Sequence, residues 1–336
     1  MYKVIVKAFG GSDQLQVVEM PDLVPAVDSN QVLVRLTSIG MNHADLMARR
    51  GEYRLISGSP PFTPGLEGGG YIEAIGNSVR DRSIGQRVIL SIDAPSVNGA
   101  GYGTYQSHYL TTADKIIPVP DAIPDDLLGA LWLPYLTAWG CLIWKQQLQP
   151  GQVVLLPAAS SSVAIAAAQI VKHYNGIAIG TTTSPNKVEI LKAMPEAQYD
   201  HLVVTRDREW WRDVKRLTDG KGVDVIFDPV AAGEFLDREI RLLANRGTLW
   251  IYGLLGKLDT VDVTPLIRKS AAIRGWLLNE LAGTDREHSA YQHVLECVAN
   301  GTYKLPIGAK FSLHDVRHAH EVMEQGQHIG KLILVA

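Results

Sequence analysis

The chain is poor in the residues that make cross-links and charge-driven interfaces. Of 336 residues only two are cysteine, Cys141 and Cys297. That excludes a disulfide framework and any site built from clustered thiolates, and it fits a reducing, cytoplasmic setting. Excess charge of one sign is missing as well: 32 Lys and Arg face 35 Asp and Glu, for a net charge of -3. This is too near neutrality for a protein whose task is to grip nucleic acid. No apolar run reaches the ~20 residues that cross a bilayer. Residues 163–171 form one of the longest, and Gln169 interrupts it. The opening MYKVIVKAFGG is broken by Lys3 and Lys7, unlike the continuous apolar core of an export signal. Internal repeats and low-complexity tracts are absent. What is present, 46% hydrophobic and 20% charged residues, suits a soluble globular protein, and the length suggests two domains at ~150 residues each.

Two textures divide the chain. Up to about residue 125, short β-rich runs at 4–6, 32–36, 71–75 and 88–90 are punctuated by Gly, Pro and Asn, which predicts a compact, irregular β domain. From about residue 150, apolar strands at 153–156, 177–179, 223–227 and 248–252 alternate with helical stretches, the pattern of a parallel sheet. The spacing predicts a helix over 163–174 and a second one entered at Ser184-Pro185. Leu236, Ile240 and Leu243 share one face of a third, and Gly247 stops it before the last strand.

The turn after the first of these strands carries the chemistry. A helix N-terminus offers unpaired amides and partial positive charge, so a tight loop of small residues there can hold a pyrophosphate. Here the loop is Pro157-Ala158-Ala159-Ser160-Ser161-Ser162. It lacks the three glycines of the dinucleotide fingerprint, and serine hydroxyls can partly replace them as donors. A plain strand-to-helix turn explains the same letters. At the end of the second strand an acid would bind the adenosine ribose diol, and here Thr181, Thr182 and Thr183 stand instead, with Lys187 one turn on. That balance favours the phosphorylated cofactor, NADP(H). A capped helix with one exposed lysine remains the simpler alternative.

With these pieces in place, the chain resembles the medium-chain dehydrogenase/reductase superfamily, in its zinc-independent quinone oxidoreductase-like branch. The match rests on Ile39-Gly40-Met41-Asn42-His43-Ala44-Asp45-Leu46, Arg50-Gly51-Glu52-Tyr53, Pro64-Gly65-Leu66-Glu67-Gly68-Gly69-Gly70 and Gly85-Gln86-Arg87-Val88. Leu136-Thr137-Ala138-Trp139, the serine loop, Gly222-Val223-Asp224-Val225-Ile226-Phe227-Asp228-Pro229-Val230 and Gly330-Lys331-Leu332-Ile333-Leu334 continue it to the end of the chain. The resemblance implies an α/β fold in which a GroES-like β-barrel catalytic domain, 1–125 and 277–336, is joined to a Rossmann doubly wound parallel-sheet domain, 126–276. It also implies an active site in the cleft separating them.

Zinc-dependent members of that family place ligands where this chain has Asn42, Leu66 and Leu133, and the resemblance therefore implies no metal. Without a Lewis acid, oxidation of a simple alcohol is disfavoured, whereas an already polarised quinone or α,β-unsaturated carbonyl needs only a well-placed hydride and a proton at its oxygen end. The resemblance assigns Tyr53 to the acceptor oxygen and Asn42 to the nicotinamide ribose or the acceptor. It sets Asp45 at the pocket floor, where helix capping is the commoner role for an Asp. Cofactor contacts are expected from Asn42, Thr137, Ser160, Ser161, Ser162, Val163, Thr181, Thr182, Thr183, Lys187, Tyr252, Gly253 and Lys331. Each could instead serve packing, and Lys331 could be a solvated lysine. Arg206 or Lys187 could take the 2'-phosphate, because the basic residue the family often carries at this point is Thr183 here. Glu67 is read as a structural hydrogen-bonding group. His314, His318 and His320 are expected to face solvent.

The expected activity is NADPH-dependent hydride transfer to a small electrophilic acceptor, with no nucleic-acid or membrane partner. Two rivals stand beside it, an enoyl-thioester reductase of a biosynthetic pathway and a catalytically silent NADPH-binding protein. The family implies a homodimer made through Rossmann edge strands, with the apolar run 248–255 read as that edge.

Overall fold

The computed structural model describes residues 1–53, 58–94, 103–257 and 259–336. They form two compact units, one of Met1–Leu133, Gln292–Thr302 and Pro306–Ala336, the other of Pro134–Tyr291 and Tyr303–Leu305. Residues 126–133 thus pack with the first unit and 277–291 with the second, where the family resemblance places each on the other side.

The first unit opens with an antiparallel pair, β1 (Tyr2–Val6) and β2 (Leu15–Glu19), followed by β3 (Gln31–Gly40) and the helix α1 (His43–Arg50). After these come β4 (Glu67–Ile75), β5 (Arg87–Leu90), β6 (His108–Thr112) and β7 (Ile116–Pro118). The second unit contributes β8 (Val153–Leu156), α2 (Ser162–His173), β9 (Ile177–Thr182), α3 (Pro185–Ala193), β10 (His201–Val204), β11 (Val223–Asp228), α4 (Gly233–Leu242), β12 (Leu243–Ile251) and β13 (Ala272–Gly275). The chain returns to the first unit over Gln292–Thr302 and again from Pro306, adding β14 (Ile307–Ser312), α5 (Val316–Gln325) and β15 (Lys331–Val335).

In the first unit β14, β15, β3, β4, β5 and β7 lie side by side in that order, and β6 pairs with β3. The sheet is antiparallel apart from the β14–β15 pair. Its core gathers Val32, Val34, Leu36, Ile72, Val88 and Leu334, all buried. Tight backbone crossings here demand glycine. A Cβ on Gly40 would meet the Gly129 carbonyl oxygen at 2.4 Å and Glu67 Oε1 at 2.5 Å, so only a hydrogen side chain leaves space for the Glu67 carboxylate.

In the second unit the strands order as β10, β9, β8, β11, β12, β13, every pair parallel. Counted by appearance this is 3-2-1-4-5-6, the doubly wound arrangement. Leu155, Ile179, Ile226 and Leu249 from four successive strands are buried in one core. Such strands read as continuous apolar runs because both faces are covered. Two expectations are corrected. Leu243 opens β12 rather than closing the preceding helix, since it pairs with Val223. The run 248–255 is not a sheet edge: Thr248, Leu249, Trp250 and Ile251 bond β11 on one side and β13 on the other. The edges are β10 and β13. The four residues of β13, two partly buried and two exposed, lack the apolar texture by which the other strands were legible.

Candidate functional site

The residues expected at the site fall in both units. In the parallel sheet the chain leaves β8 for one side through β9 and β10, and returns to its other side with β11. This makes the C-terminal end of β8 the switch point at which open sheets bind ligands. The serine loop sits there. Ala158 takes φ +53°, the left-handed region, and the turn closes with Ser161 N–H donating to the Ala158 carbonyl at 2.8 Å. Ala159 N–H donates to the Thr181 carbonyl at 2.8 Å, tying the loop to β9. Ser161 is the N-cap of α2: its Oγ accepts from Ala164 N–H at 3.1 Å, so its hydroxyl hydrogen is still available to a ligand.

Lys187, in the first turn of α3, donates from Nζ to Ser160 Oγ at 3.0 Å. Burial pushes its pKa below the usual lysine value, because the ammonium has lost part of its hydration. An anion at this loop would restore what water no longer supplies. Ser160, Ser161, Ser162 and Lys187 are all only partly buried. Thr183 is exposed, whereas Thr181 is 1% exposed and Thr182 accepts from Ser184 N–H through Oγ1 at 3.2 Å. No acid occupies the end of β9, and the exposed Arg206 lies just past β10. Hydroxyls, helix amides and one ammonium form a donor set that fits a phosphate-bearing cofactor.

Elsewhere in this unit Thr137 is buried, and its carbonyl accepts from Trp276 Nε1 at 2.9 Å. Tyr252, just beyond β12, stacks on Phe227 with ring centroids 4.0 Å apart. Gly253 follows against the Pro229 backbone, whose oxygen a Cβ would meet at 3.0 Å. Sequence reading missed a buried acid pair beneath them. Asp228 ends β11 and accepts from Val230 and Ala231 N–H at 2.6 and 2.7 Å. Glu239 of α4 is fully buried, and desolvation, then the neighbouring Asp228 charge, hold its pKa well above the carboxylate range. An acid inside an apolar helix face carries no signal of which partner it meets.

In the first unit Asn42 opens α1, and Asp45 reaches back to accept its N–H at 2.8 Å through Oδ2. The same oxygen accepts from Tyr105 OH at 3.1 Å. Burial raises the Asp45 pKa to about 7 against the opposing pull of these hydrogen bonds and of Lys331. Asp45 is therefore a helix-start anchor, with Asn42 itself as the cap. Asn42 is 8% exposed, and its Nδ2 donates to the Gly40 carbonyl and to Glu67 Oε1, both at 3.2 Å. Leu133 N–H donates to Glu67 Oε2 at 3.1 Å, which gives Glu67 the structural role expected for it.

Lys331 is not a solvated lysine. It is 1% exposed, donates to Asn42 Oδ1 at 2.6 Å and forms an ion pair with Glu67 Oε1. Tyr53 is half-buried, and burial raises the pKa of its hydroxyl, which keeps the O–H as a donor at neutral pH. His320 corrects a further expectation. It is fully buried, its Nδ1 3.4 Å from Arg49 Nη1, and burial with the Arg49 charge lowers its pKa to about 3. His314 and His318 lie at the surface.

The two folds and their motifs are those of the dehydrogenase and reductase class of proteins. Residues 28–121 match the alcohol dehydrogenase GroES-like domain, and residues 162–300 match the zinc-binding dehydrogenase family. The chain belongs to the medium-chain dehydrogenase/reductase superfamily, in the quinone oxidoreductase-like branch. It is 29% identical over 342 residues to quinone oxidoreductase of Homo sapiens, covering 100% of this chain and 98% of that one. It is 33% identical over 332 residues, 97% of its length, to a phenolphthiocerol/phthiocerol polyketide synthase protein of Mycobacterium tuberculosis, of which it spans only 14%. The Escherichia coli quinone oxidoreductase solved in complex with NADPH superposes with a TM-score of 0.87 at 26% identity, over 100% of both chains. The chain thus has a GroES-like unit and a Rossmann-like unit. No helix among the described residues is long and apolar enough to cross a membrane.

Proposed function

We propose that this protein uses NADPH to reduce a quinone or an α,β-unsaturated carbonyl without a metal ion. The observation that carries the cofactor reading is the loop at the end of β8, where Ser160, the Ser161 cap and Lys187 collect donors and no acid at the end of β9 opposes a phosphate. The Escherichia coli relative solved with NADPH supports the same cofactor. The metal-free reading rests on residue chemistry. Leu66 and Leu133 have no ligating atom, and the Asn42 amide is taken up by Lys331, Glu67 and Gly40.

When bound, NADPH supplies hydride from its nicotinamide ring. The chain's own residues do the rest. Ser160, Ser162 and the amides opening α2 hold the pyrophosphate, with Ser161 keeping the helix start in shape. Lys187 or Arg206 takes the 2'-phosphate. Thr137, Val163, Thr181, Thr182, Thr183, Tyr252, Gly253 and Asn42 border the remainder of the coenzyme. Tyr53, held as a neutral phenol, offers its O–H to the acceptor oxygen and supports the charge that develops there. Asp45 fixes the start of α1 so that Asn42 is held in place. In this reading the protein is a cytoplasmic homodimer, with β13 as the strand edge available to a second copy.

A second reading is favoured by the relation to a polyketide synthase: the acceptor is an α,β-unsaturated thioester. One experiment tests both. Purified protein is mixed with NADPH and either 1,4-benzoquinone, a simple enone or a crotonyl thioester, and the loss of NADPH absorbance is followed. Turnover with quinone or enone is expected. Turnover with the thioester alone selects the second reading, and tight NADPH binding without any turnover would leave a silent cofactor-binding protein.

A further inference from the structure

Lys331 and Asn42 are 289 residues apart in sequence and touch where Lys331 is 1% and Asn42 8% exposed. A lysine ammonium has three donors and no acceptor, so only the amide oxygen of Asn42 can face it. That choice fixes the whole amide. Nδ2 must then point toward Glu67 Oε1 and the Gly40 carbonyl, 3.2 Å from each, and its two hydrogens are both engaged. Glu67 is held from its other oxygen by Leu133 N–H at 3.1 Å, so it cannot swing away. The space beside Gly40 is taken up by the Glu67 carboxylate and the Gly129 backbone, which a Cβ there would meet at 2.5 and 2.4 Å. An amide locked in this polarity can meet a ligand through oxygen alone.

We infer that Lys331 is a positioning residue, neutralised by Glu67, which orients Asn42 so that its oxygen receives a hydroxyl or amide donor of the ligand and its nitrogen polarises no carbonyl. This deepens the NADPH reading, on which it rests. It replaces the direct cofactor contact expected of Lys331 with an indirect action, and it makes a ribose hydroxyl of the coenzyme, rather than the acceptor carbonyl, the natural partner of Asn42.

The first test needs no cofactor. Thermal unfolding of the apo protein is compared for Lys331→Met, Glu67→Gln and the double variant. Loss of the ammonium leaves a buried carboxylate unpaired, so Lys331→Met lowers the midpoint, and Glu67→Gln added to it restores most of the loss. Losses that simply add would overturn the ion pair. The second test reads NADPH affinity by tryptophan fluorescence. Lys331→Met and Asn42→Ala each weaken binding about tenfold, the double variant is no weaker than either, and Lys331→Arg restores most of the affinity. A double variant weakened about a hundredfold would mean that Lys331 touches the coenzyme independently.

The pair Asn42→Asp with Glu67→Gln keeps the charge count and an oxygen beside Lys331 while removing both N–H donors of residue 42. Its NADPH affinity stays within about threefold of the parent, and a loss of tenfold or more would show that an Asn42 N–H serves the ligand. If the unmodified protein binds no NADPH, the functional reading fails, while the unfolding cycle still decides whether the Lys331, Asn42 and Glu67 arrangement exists.

Discussion

Lys187 Nζ lies 3.0 Å from Ser160 Oγ, so the first turn of α3 reaches across to the loop that follows β8. A cation that has lost hydration beside a loop of hydroxyls and helix amides prefers a phosphate to water.

Lys187→Met should therefore weaken NADPH binding by about tenfold, in line with ~1.5–3 kcal/mol for a charged hydrogen bond, while NADH binding changes little. Titration of both coenzymes against the variant checks this. Equal losses for the two would place Lys187 on the shared pyrophosphate, and an Arg206→Ala variant with the larger selective loss would shift the role to Arg206.

Removing the hydroxyl in Tyr53→Phe should lower kcat with the acceptor by about a hundredfold, within the range for a positioned proton donor, and leave NADPH affinity unchanged. Because burial raises the Tyr53 pKa, the parent enzyme should hold its rate through neutral and mildly alkaline pH. An unaltered kcat in the variant would remove Tyr53 from the chemistry.

Asp45 carries a folded-state pKa of about 7 against 3.8 in the open chain. The native state binds the proton more tightly, so stability from this group is fully present below pH 3.8 and declines as pH rises toward about 7. Asp45→Asn keeps an oxygen for Tyr105 and for Asn42 N–H. It should flatten that decline and raise the unfolding midpoint near pH 8 relative to the parent. Parallel stability curves for the two proteins would contradict the shift.

Glu239 offers the same sign at a second place. Its pKa is held well above the usual 4.5, so a neutral carboxylic acid is the favoured form on the buried face of α4, and raising the pH from 4.5 upward progressively penalises the folded state. Glu239→Gln should make the second unit less sensitive to alkali, measured as a smaller fall in midpoint between pH 5 and 9. A steeper fall would mean that the carboxylate form is the one the fold needs.

Much of this was legible in the letters. Continuous apolar runs announced β8, β9 and β11, because strands covered on both faces need no alternation. The missing acid after β9 and the lysine one turn later were visible together. The first unit was harder to read, since Gly68, Gly69 and Gly70 look like a loop and yet lie inside β4, which needs the absence of side chains. Buried polar partners were the least visible. Lys331 and His320 carry the composition of surface residues, and only tertiary neighbours distant in sequence, Glu67 and Arg49, account for their enclosure. The short β13 was missed for the opposite reason, having too little apolar surface to stand out.

The path of the chain sets an order on assembly. Glu67 enters the growing polypeptide early, and the ammonium that balances it arrives on β15, after the entire parallel sheet has been made. Until that late strand pairs with β3, the unfinished sheet would have to bury a negative charge without its cation. A fragment ending anywhere before residue 331 is accordingly a poor substrate for autonomous folding.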